Sequence, residues 1–132
     1  MKRKIQIIIV DDNPTFLEGI STFLSMETDY EIVACFLSGK TLLENINNYD
    51  PDLILLDIEM PELNGIETAR RLSYYGVELK LVAITFYHDK VYIKQLRESG
   101  FRGFVHKNKI SKDLCQVINC VLKDELAFPE MH

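Results

Sequence analysis

Strands covered on both faces by helices read as short, unbroken apolar runs, and this chain carries such runs at regular intervals. Ile5–Val10, Leu53–Leu56, Leu79–Ile84 and Phe101–Val105 have strand length and are rich in β-branched or aromatic residues; Glu31–Phe36 is a weaker fifth. Helical periodicity fills the gaps. Phe16, Ile20, Phe23 and Leu24 follow Asn13-Pro14, a capping residue with a first-turn proline. Leu42, Leu43 and Ile46 mark a second helix beginning near Ser38. Ile66, Ala69 and Leu72 mark a third, ending near Gly76. Val91, Ile93 and Leu96 mark a fourth, closed by Gly100. Ile110, Leu114, Val117, Ile118, Val121 and Leu122 mark a fifth, with Ser111 close to its start. Strand then helix, repeated throughout, predicts an α/β domain built on a parallel sheet with helices on both faces. No Pro/Gly/Ser-rich linker, repeat or low-complexity run breaks the pattern, so one domain fills the 132 residues.

Composition narrows the function classes. A net charge of -5 gives no basic surface for nucleic acid. The cysteines, Cys35, Cys115 and Cys120, are odd in number and fit no zinc spacing; lying in apolar stretches, they are expected to be small core residues in a reducing compartment. No segment is long and apolar enough to span a membrane. The basic start Met-Lys-Arg-Lys runs straight into a strand and two acids rather than a signal-peptide apolar region, so the expected location is cytoplasmic.

The residues ending the apolar runs carry the chemistry. Asp11 and Asp12 follow Val10, Asp57 follows Leu56, Thr85 follows Ile84, and His106-Lys107 follow Val105. In an open parallel α/β sheet, ligands bind beyond the carboxyl ends of the strands, where the strand order reverses. Three carboxylates there raise one another's pKa, and a hard cation such as Mg²⁺ relieves the repulsion. A lysine and a threonine hydroxyl can meet the oxygens of a phosphoryl group, whose transfer needs mainly positioning and charge neutralisation. Each element also has a plain structural use: an Asp pair after a strand caps helices, a strand-end Thr is ordinarily structural, a lone Lys ordinarily solvated. Asn13 can serve as the cap here, which leaves Asp11 and Asp12 free.

At these positions the sequence resembles the response-regulator receiver family over about residues 4 to 124. Ile-Ile-Ile-Val-Asp-Asp-Asn-Pro (7 to 14) is similar to its acidic pocket, and Asp-Leu-Ile-Leu-Leu-Asp-Ile-Glu-Met-Pro-Glu-Leu-Asn-Gly (52 to 65) to its phosphorylation segment. Leu-Val-Ala-Ile-Thr (81 to 85) and Gly-Phe-Arg-Gly-Phe-Val-His-Lys (100 to 107) are similar to its last two strands. The resemblance implies a flavodoxin-like (CheY-like) doubly wound fold, a five-stranded parallel sheet in the order 2-1-3-4-5 with five helices. It implies that Asp57 accepts phosphate from a sensor histidine kinase. Asp12, Asp57 and the main-chain carbonyl of Glu59 would bind Mg²⁺ directly, and Asp11 through a water. Lys107 would pair with Asp57 and then with the phosphoryl group. Thr85 would turn to that group while Phe104 swings inward, reshaping the surface around the fourth helix, fifth strand and fifth helix. Such a protein is a signalling phosphoprotein rather than an enzyme acting on a substrate.

Two positions depart from the family pattern, and two more fall where the family varies. Phe86 stands where a small residue is usual and is expected to narrow access to Asp57. Glu59 and Tyr87 occupy positions that tune phosphate lifetime in the family. Asn108 replaces a frequent proline, which makes a cis bond there improbable. Lys-Asn at this point and Leu-Lys-Asp-Glu-Leu-Ala-Phe-Pro (122 to 129) are similar to receivers joined to a LuxR-type helix-turn-helix domain. The receiver is therefore expected to span 1–124. Residues 125–132 would form a tail or the start of a linker to an effector domain outside this chain, through which alone DNA would be contacted. Homodimerisation is expected on family grounds, with Tyr74, Tyr75, Tyr87 and Tyr92 as interface residues or ordinary helix surface. Three alternatives stand beside this reading. A haloacid-dehalogenase-like phosphatase would use Asp57 as nucleophile, but has a second Asp where Glu59 stands. A flavin or nucleotide module would need a Gly-rich loop that Asp-Asp-Asn-Pro does not supply. The last is a phosphate-independent interaction receiver.

Overall fold

The protein is described here from a computed structural model, which covers residues 3–74 and 78–128. Strands and helices alternate as β1 (Ile5–Val10), α1 (Pro14–Ser25), β2 (Tyr30–Phe36), α2 (Gly39–Asn45), β3 (Leu53–Asp57), α3 (Gly65–Tyr74), β4 (Leu81–Thr85), α4 (Lys90–Glu98), β5 (Phe101–His106) and α5 (Ile110–Leu122). All strand pairs are parallel, and the sheet runs β2-β1-β3-β4-β5.

Period-two alternation along the central strands sorts their side chains into two cores. Ile8, Val10, Ile54, Leu56 and Ala83 face α2, α3 and α4, where Leu42, Ala69, Leu72, Ile93 and Leu96 close the layer. Ile7, Ile9, Leu53, Leu55, Val82 and Ile84 face α1 and α5, against Leu17, Ile20, Leu24, Leu114, Ile118 and Val121. β1 from Ile7 onward, β3 and β4 are buried residue after residue, which is why they read as unbroken apolar runs. The edge strand β2 is buried only at Tyr30, and its weaker sequence signal follows. Each fully buried Leu or Ile in these layers contributes about 1.5–3 kcal/mol.

The helix starts follow their capping residues. Asn13 accepts from the Thr15 and Phe16 amides ahead of Pro14, Ser38 accepts from Thr41, and Asp89 accepts from Tyr92. Gly100, at φ +102°, ends α4 in the left-handed region that favours glycine. α5 starts at Ile110 behind Lys109, with no side-chain cap, and Ser111 lies exposed in its first turn.

Several expectations need correction. The fourth strand begins at Leu81 rather than Leu79, and Asp57, Thr85 and His106 are the last residues of their strands rather than the first of loops. Val91 is 72% exposed; Ile93 and Leu96 alone make the buried face of α4. The cysteines are not core residues: Cys35 is exposed on the edge strand, and Cys115 and Cys120 are half-buried on the flanks of α5. Tyr75, Gly76 and residues 129–132 lie outside the described residues.

Beyond α5 the chain turns at Asp124, which has φ +63° and takes ion pairs from Lys80 at 3.1 Å and Arg102 at 3.4 Å. It then runs beside the outer edge of β5: the Ala127 amide donates to the Arg102 carbonyl at 2.8 Å, and the Phe104 amide donates to the Ala127 carbonyl at 3.1 Å. The edge of the sheet that β2 does not occupy is thereby covered.

Candidate functional site

The strand order reverses between β1 and β3, and their register pairs Val10 with Leu56. One residue further along each strand stand Asp11 and Asp57, both fully buried. Asp12 is exposed beside them, and the carboxylate oxygens of Asp11, Asp12 and Asp57 lie within 4.8 Å of one another. Among the described residues this is the one such grouping of acidic, His or Cys side chains close enough to share a metal ion.

Lys107 follows β5 and reaches back to both buried acids, with Nζ 3.2 Å from Asp11 Oδ2 and 3.1 Å from Asp57 Oδ1. Its ammonium also lies over the rings of Phe16 at 4.6 Å and Phe86 at 5.4 Å. Burial alone would lower the Lys107 pKa, but Asp57 and Asp11 outweigh it and the pKa is raised; the ammonium stays charged. Asp11 Oδ1 accepts from the Asn13 amide at 2.9 Å. Asp57 Oδ2 has no hydrogen-bond donor at all. Burial, and then the neighbouring Asp11, push the Asp57 carboxyl up to about 7, against the downward pull of Lys107. A buried acid with an orphan oxygen, two further acids and one fixed cation is an environment that a hard divalent cation would complete. The donor set, all carboxylate oxygen, fits Mg²⁺.

The segment after Asp57 is held tightly. Ile58 and Met60 are buried, and the Gly65 amide donates to the Ile58 carbonyl at 2.9 Å. A Cβ on Gly65 would lie 2.4 Å from the Asp57 carbonyl oxygen, so only glycine lets α3 start this close to the strand.

Thr85 is fully buried at the end of β4, but its hydroxyl does not turn to Asp57. It donates to the Glu59 carboxylate, with Oγ1 2.9 Å from Oε1 and 2.7 Å from Oε2, and it accepts from the Tyr87 amide at 3.1 Å. Tyr92, in the first turn of α4, donates its phenol to the same carboxylate and lies 3.2 Å from Thr85 Oγ1. Burial, then Glu59, raise the Tyr92 pKa, so the phenol keeps its proton. Phe86 is half exposed and packs edge-on against His106, and Tyr87 packs edge-on against Tyr92. Phe104 is already buried, and it lines a cleft of about 750 Å³ shared by β5, α5 and the segment after α5.

The structure thus brings Asp11, Asp12, Asp57 and Lys107 together and places Thr85, Glu59 and Tyr87 in an adjoining network. Two participants were not legible as such. Phe16 was read as part of the apolar face of α1, and Tyr92 as surface; each repeats at ordinary helical spacing, and nothing in the sequence pairs it with a residue on another element.

Known proteins bear on this site. The chain matches the response regulator receiver domain family over residues 7–119. It is 33% identical over 120 residues to the transcriptional regulatory protein DegU of Brevibacillus brevis, an alignment covering 91% of this chain and 51% of that protein. It therefore spans about half the length of this curated relative. Its fold is similar to the isolated receiver domain of RcsB from Salmonella enterica serovar Typhimurium, solved with the phosphomimetic BeF3-: TM-score 0.86, 22% identity, covering 97% of this chain and 95% of that one. It is also similar in fold to a LuxR-family two-component response regulator from Aurantimonas sp. SI85-9A1, with TM-score 0.89, 23% identity, and 96% and 90% of the two chains covered. The sheet order, the acids at the β1 and β3 ends and a family match over most of the sequence agree: the chain belongs to the response regulator receiver domain family of two-component signalling and is similar to the receivers of LuxR-type regulators.

Proposed function

We propose that this receiver takes a phosphoryl group on Asp57 from the phosphohistidine of a sensor kinase, with Mg²⁺ held by Asp11, Asp12, Asp57 and the main-chain carbonyl of Glu59. The observation that carries the reading is the Asp57 carboxylate itself: fully buried, pushed up to about 7, with one oxygen on Lys107 and the other unpartnered. A structural acid would have its oxygens satisfied; this one is kept as a nucleophile. The metal ion would supply positive charge for the incoming phosphoryl oxygens. Asp57 Oδ2 attacks phosphorus, the bond from phosphorus to the donor nitrogen breaks, and the donor leaves with that electron pair. Lys107, held by Asp11 as well as Asp57, stays in place to meet the added negative charge. Thr85 then serves as a phosphoryl donor partner only after leaving Glu59.

The receiver unit is assigned to residues 1–124. The segment 125–132 is assigned as a C-terminal tail or the start of a linker to an effector domain, the latter on the strength of relatives about twice the length of this chain. Phosphorylation adds negative charge and strong acceptors at one point, and the resulting shift would reach the face of α4, β5 and α5 through Thr85 and Phe104. The partners proposed for this cytoplasmic receiver are a sensor histidine kinase upstream, a second copy of the receiver, and DNA through a C-terminal effector domain, in keeping with the transcriptional role named for DegU. Among the described residues no helix is long and apolar enough to cross a membrane. Phe86, lying over Lys107, and the Glu59–Thr85–Tyr92 network are assigned to tuning how long the phosphate lasts.

Intact mass after incubation with Mg²⁺ and acetyl phosphate tests the reading. One added phosphoryl group is expected, lost in Asp57→Asn and without metal. No gain, with a kinase supplied as well, would leave the phosphate-independent interaction receiver. The engagement of Thr85 by Glu59 is the observation that favours that second reading.

A further inference from the structure

A threonine hydroxyl carries one proton. That of Thr85 points between the two oxygens of Glu59, at 2.9 and 2.7 Å, and cannot at the same time be given to a phosphoryl oxygen near Asp57. The oxygen of Thr85 is also occupied, by the Tyr87 amide at 3.1 Å. The Glu59 side chain is exposed between the buried Ile58 and Met60, and Tyr92 donates to it from α4. Tyr92 is in turn fixed by position: its backbone amide donates at 3.0 Å to Asp89, the residue that caps α4, and its ring packs on Tyr87 at 5.6 Å. Hydrogen bonds to a carboxylate are about twice as strong as those between neutral groups. Thr85 and the first turn of α4 therefore share one acceptor, and whatever moves the helix start moves the acceptor.

We propose that Tyr92 is a positioning residue: from α4 it holds the Glu59 carboxylate on the Thr85 hydroxyl, so that Thr85 turns to the phosphorylation site only when the start of α4 releases Glu59. The proposal rests on the receiver reading given above and adds to it the side chain that ties a helix of the output face to the hydroxyl. Glu59 opposes activation through its side chain, independently of any role for its main-chain carbonyl. The resting arrangement is a competition for one proton, and Tyr92 weights it toward Glu59.

Two measurements on the same four proteins decide it: wild type, Tyr92→Phe, Glu59→Ala and the double variant. Tyr92→Phe keeps the ring and its packing and removes only the phenol hydroxyl. The first measurement needs no metal: amide exchange at Tyr87, whose donor rests on Thr85, is expected to speed up several-fold in Tyr92→Phe as the hydroxyl becomes mobile. The second is titration with Mg²⁺ and beryllium fluoride, a phosphoryl mimic. Tyr92→Phe is expected to lower the half-saturating concentration by about 3- to 10-fold, the range for loss of one net hydrogen bond. The same change made on the Glu59→Ala background is expected to add nothing. Unchanged exchange at Tyr87 overturns the proposal, as does an equal shift in both backgrounds, which would place the effect of Tyr92 in its direct contact with the Thr85 hydroxyl rather than in Glu59. If the wild type itself never saturates with beryllium fluoride, the receiver reading falls and takes the proposal with it; saturation without the Tyr92 effect removes the proposal alone.

Discussion

Replacing Asp57 by Asn is expected to stabilise the metal-free protein, and to do so more at high pH than at low. Asp57 is fully buried, and its carboxyl is raised from 3.8 to about 7, first by burial and then by Asp11. Because the folded-state value lies above the unfolded one, protonation favours the fold. The contribution of Asp57 is fully present below about pH 4 and is lost as the pH climbs through 7. At about 1.4 kcal/mol per unit, the whole shift is worth roughly 4 kcal/mol as an upper bound, with more than half of it falling between pH 5 and pH 8. Lys107 stays charged across that window, because its pKa is raised from an already high value, so it adds no competing slope. An Asn side chain has no such titration. The stability difference between Asp57→Asn and wild type should therefore grow in favour of the variant by up to roughly 2–3 kcal/mol from pH 5 to pH 8. For a domain of this size that corresponds to about 1 M or more in the urea midpoint. The assay is urea denaturation of both proteins in EDTA at several pH values, repeated with Mg²⁺. Added Mg²⁺ should restore wild type at pH 8, where Asp57 is ionised, and do much less for the variant. A stability difference that is flat with pH, or that grows toward acid, would refute the assignment of Asp57 as a buried, uncompensated carboxyl.

The remaining expectations concern three other positions. Gly65→Ala places a methyl 2.4 Å from the Asp57 carbonyl oxygen and 2.8 Å from Ile58 Cα, backbone that cannot yield; it should cost roughly 1–3 kcal/mol in urea unfolding and slow phosphoryl uptake, and a wild-type midpoint would contradict it. Phe86→Ala removes the half-exposed ring over Lys107 and should shorten the phosphate lifetime several-fold, read as the decay of the phosphorylated mass; an identical half-life would clear Phe86 of any shielding role. Ala127→Pro removes the donor to the Arg102 carbonyl and should cost about 1 kcal/mol, with faster exchange of the Phe104 amide that pairs with Ala127. Unchanged protection at Phe104 would show that the segment after α5 does not stay on the edge of β5 in solution.

The positions legible in the sequence and those that were not differ in what fixes them. Asp11, Asp57, Thr85 and Lys107 stand at or just beyond the ends of buried strands, and the strand ends are set by the apolar runs themselves. Once β1 and β3 pair with Val10 opposite Leu56, Asp11 and Asp57 have no freedom to lie apart. The edge strand β2 was legible only weakly because one edge position offers too little burial to demand an apolar run, and Cys35 on it was misread as core for the same reason. Phe16 and Tyr92 obey no such constraint, and Glu59, legible only through the family resemblance, obeys none either. Phe16 and Tyr92 occupy helix positions where an aromatic serves equally as core, surface or partner, and Glu59 stands on a loop. Their roles depend on how α1 and α4 are seated on the sheet, a tertiary outcome that no local periodicity encodes. The same division carries a functional consequence. The acids and the lysine are tied to the sheet, the part of the molecule least able to move, and so suit chemistry that needs fixed positions. Glu59 and Tyr92 are tied to a loop and to the first turn of a helix that buries only Ile93 and Leu96, and so they are placed where a small change in free energy can rearrange them. A receiver needs both kinds of residue. This chain assigns the first to strand ends and the second to the sequence-ambiguous surface between β3 and α4, the region whose partners had to be seen in three dimensions.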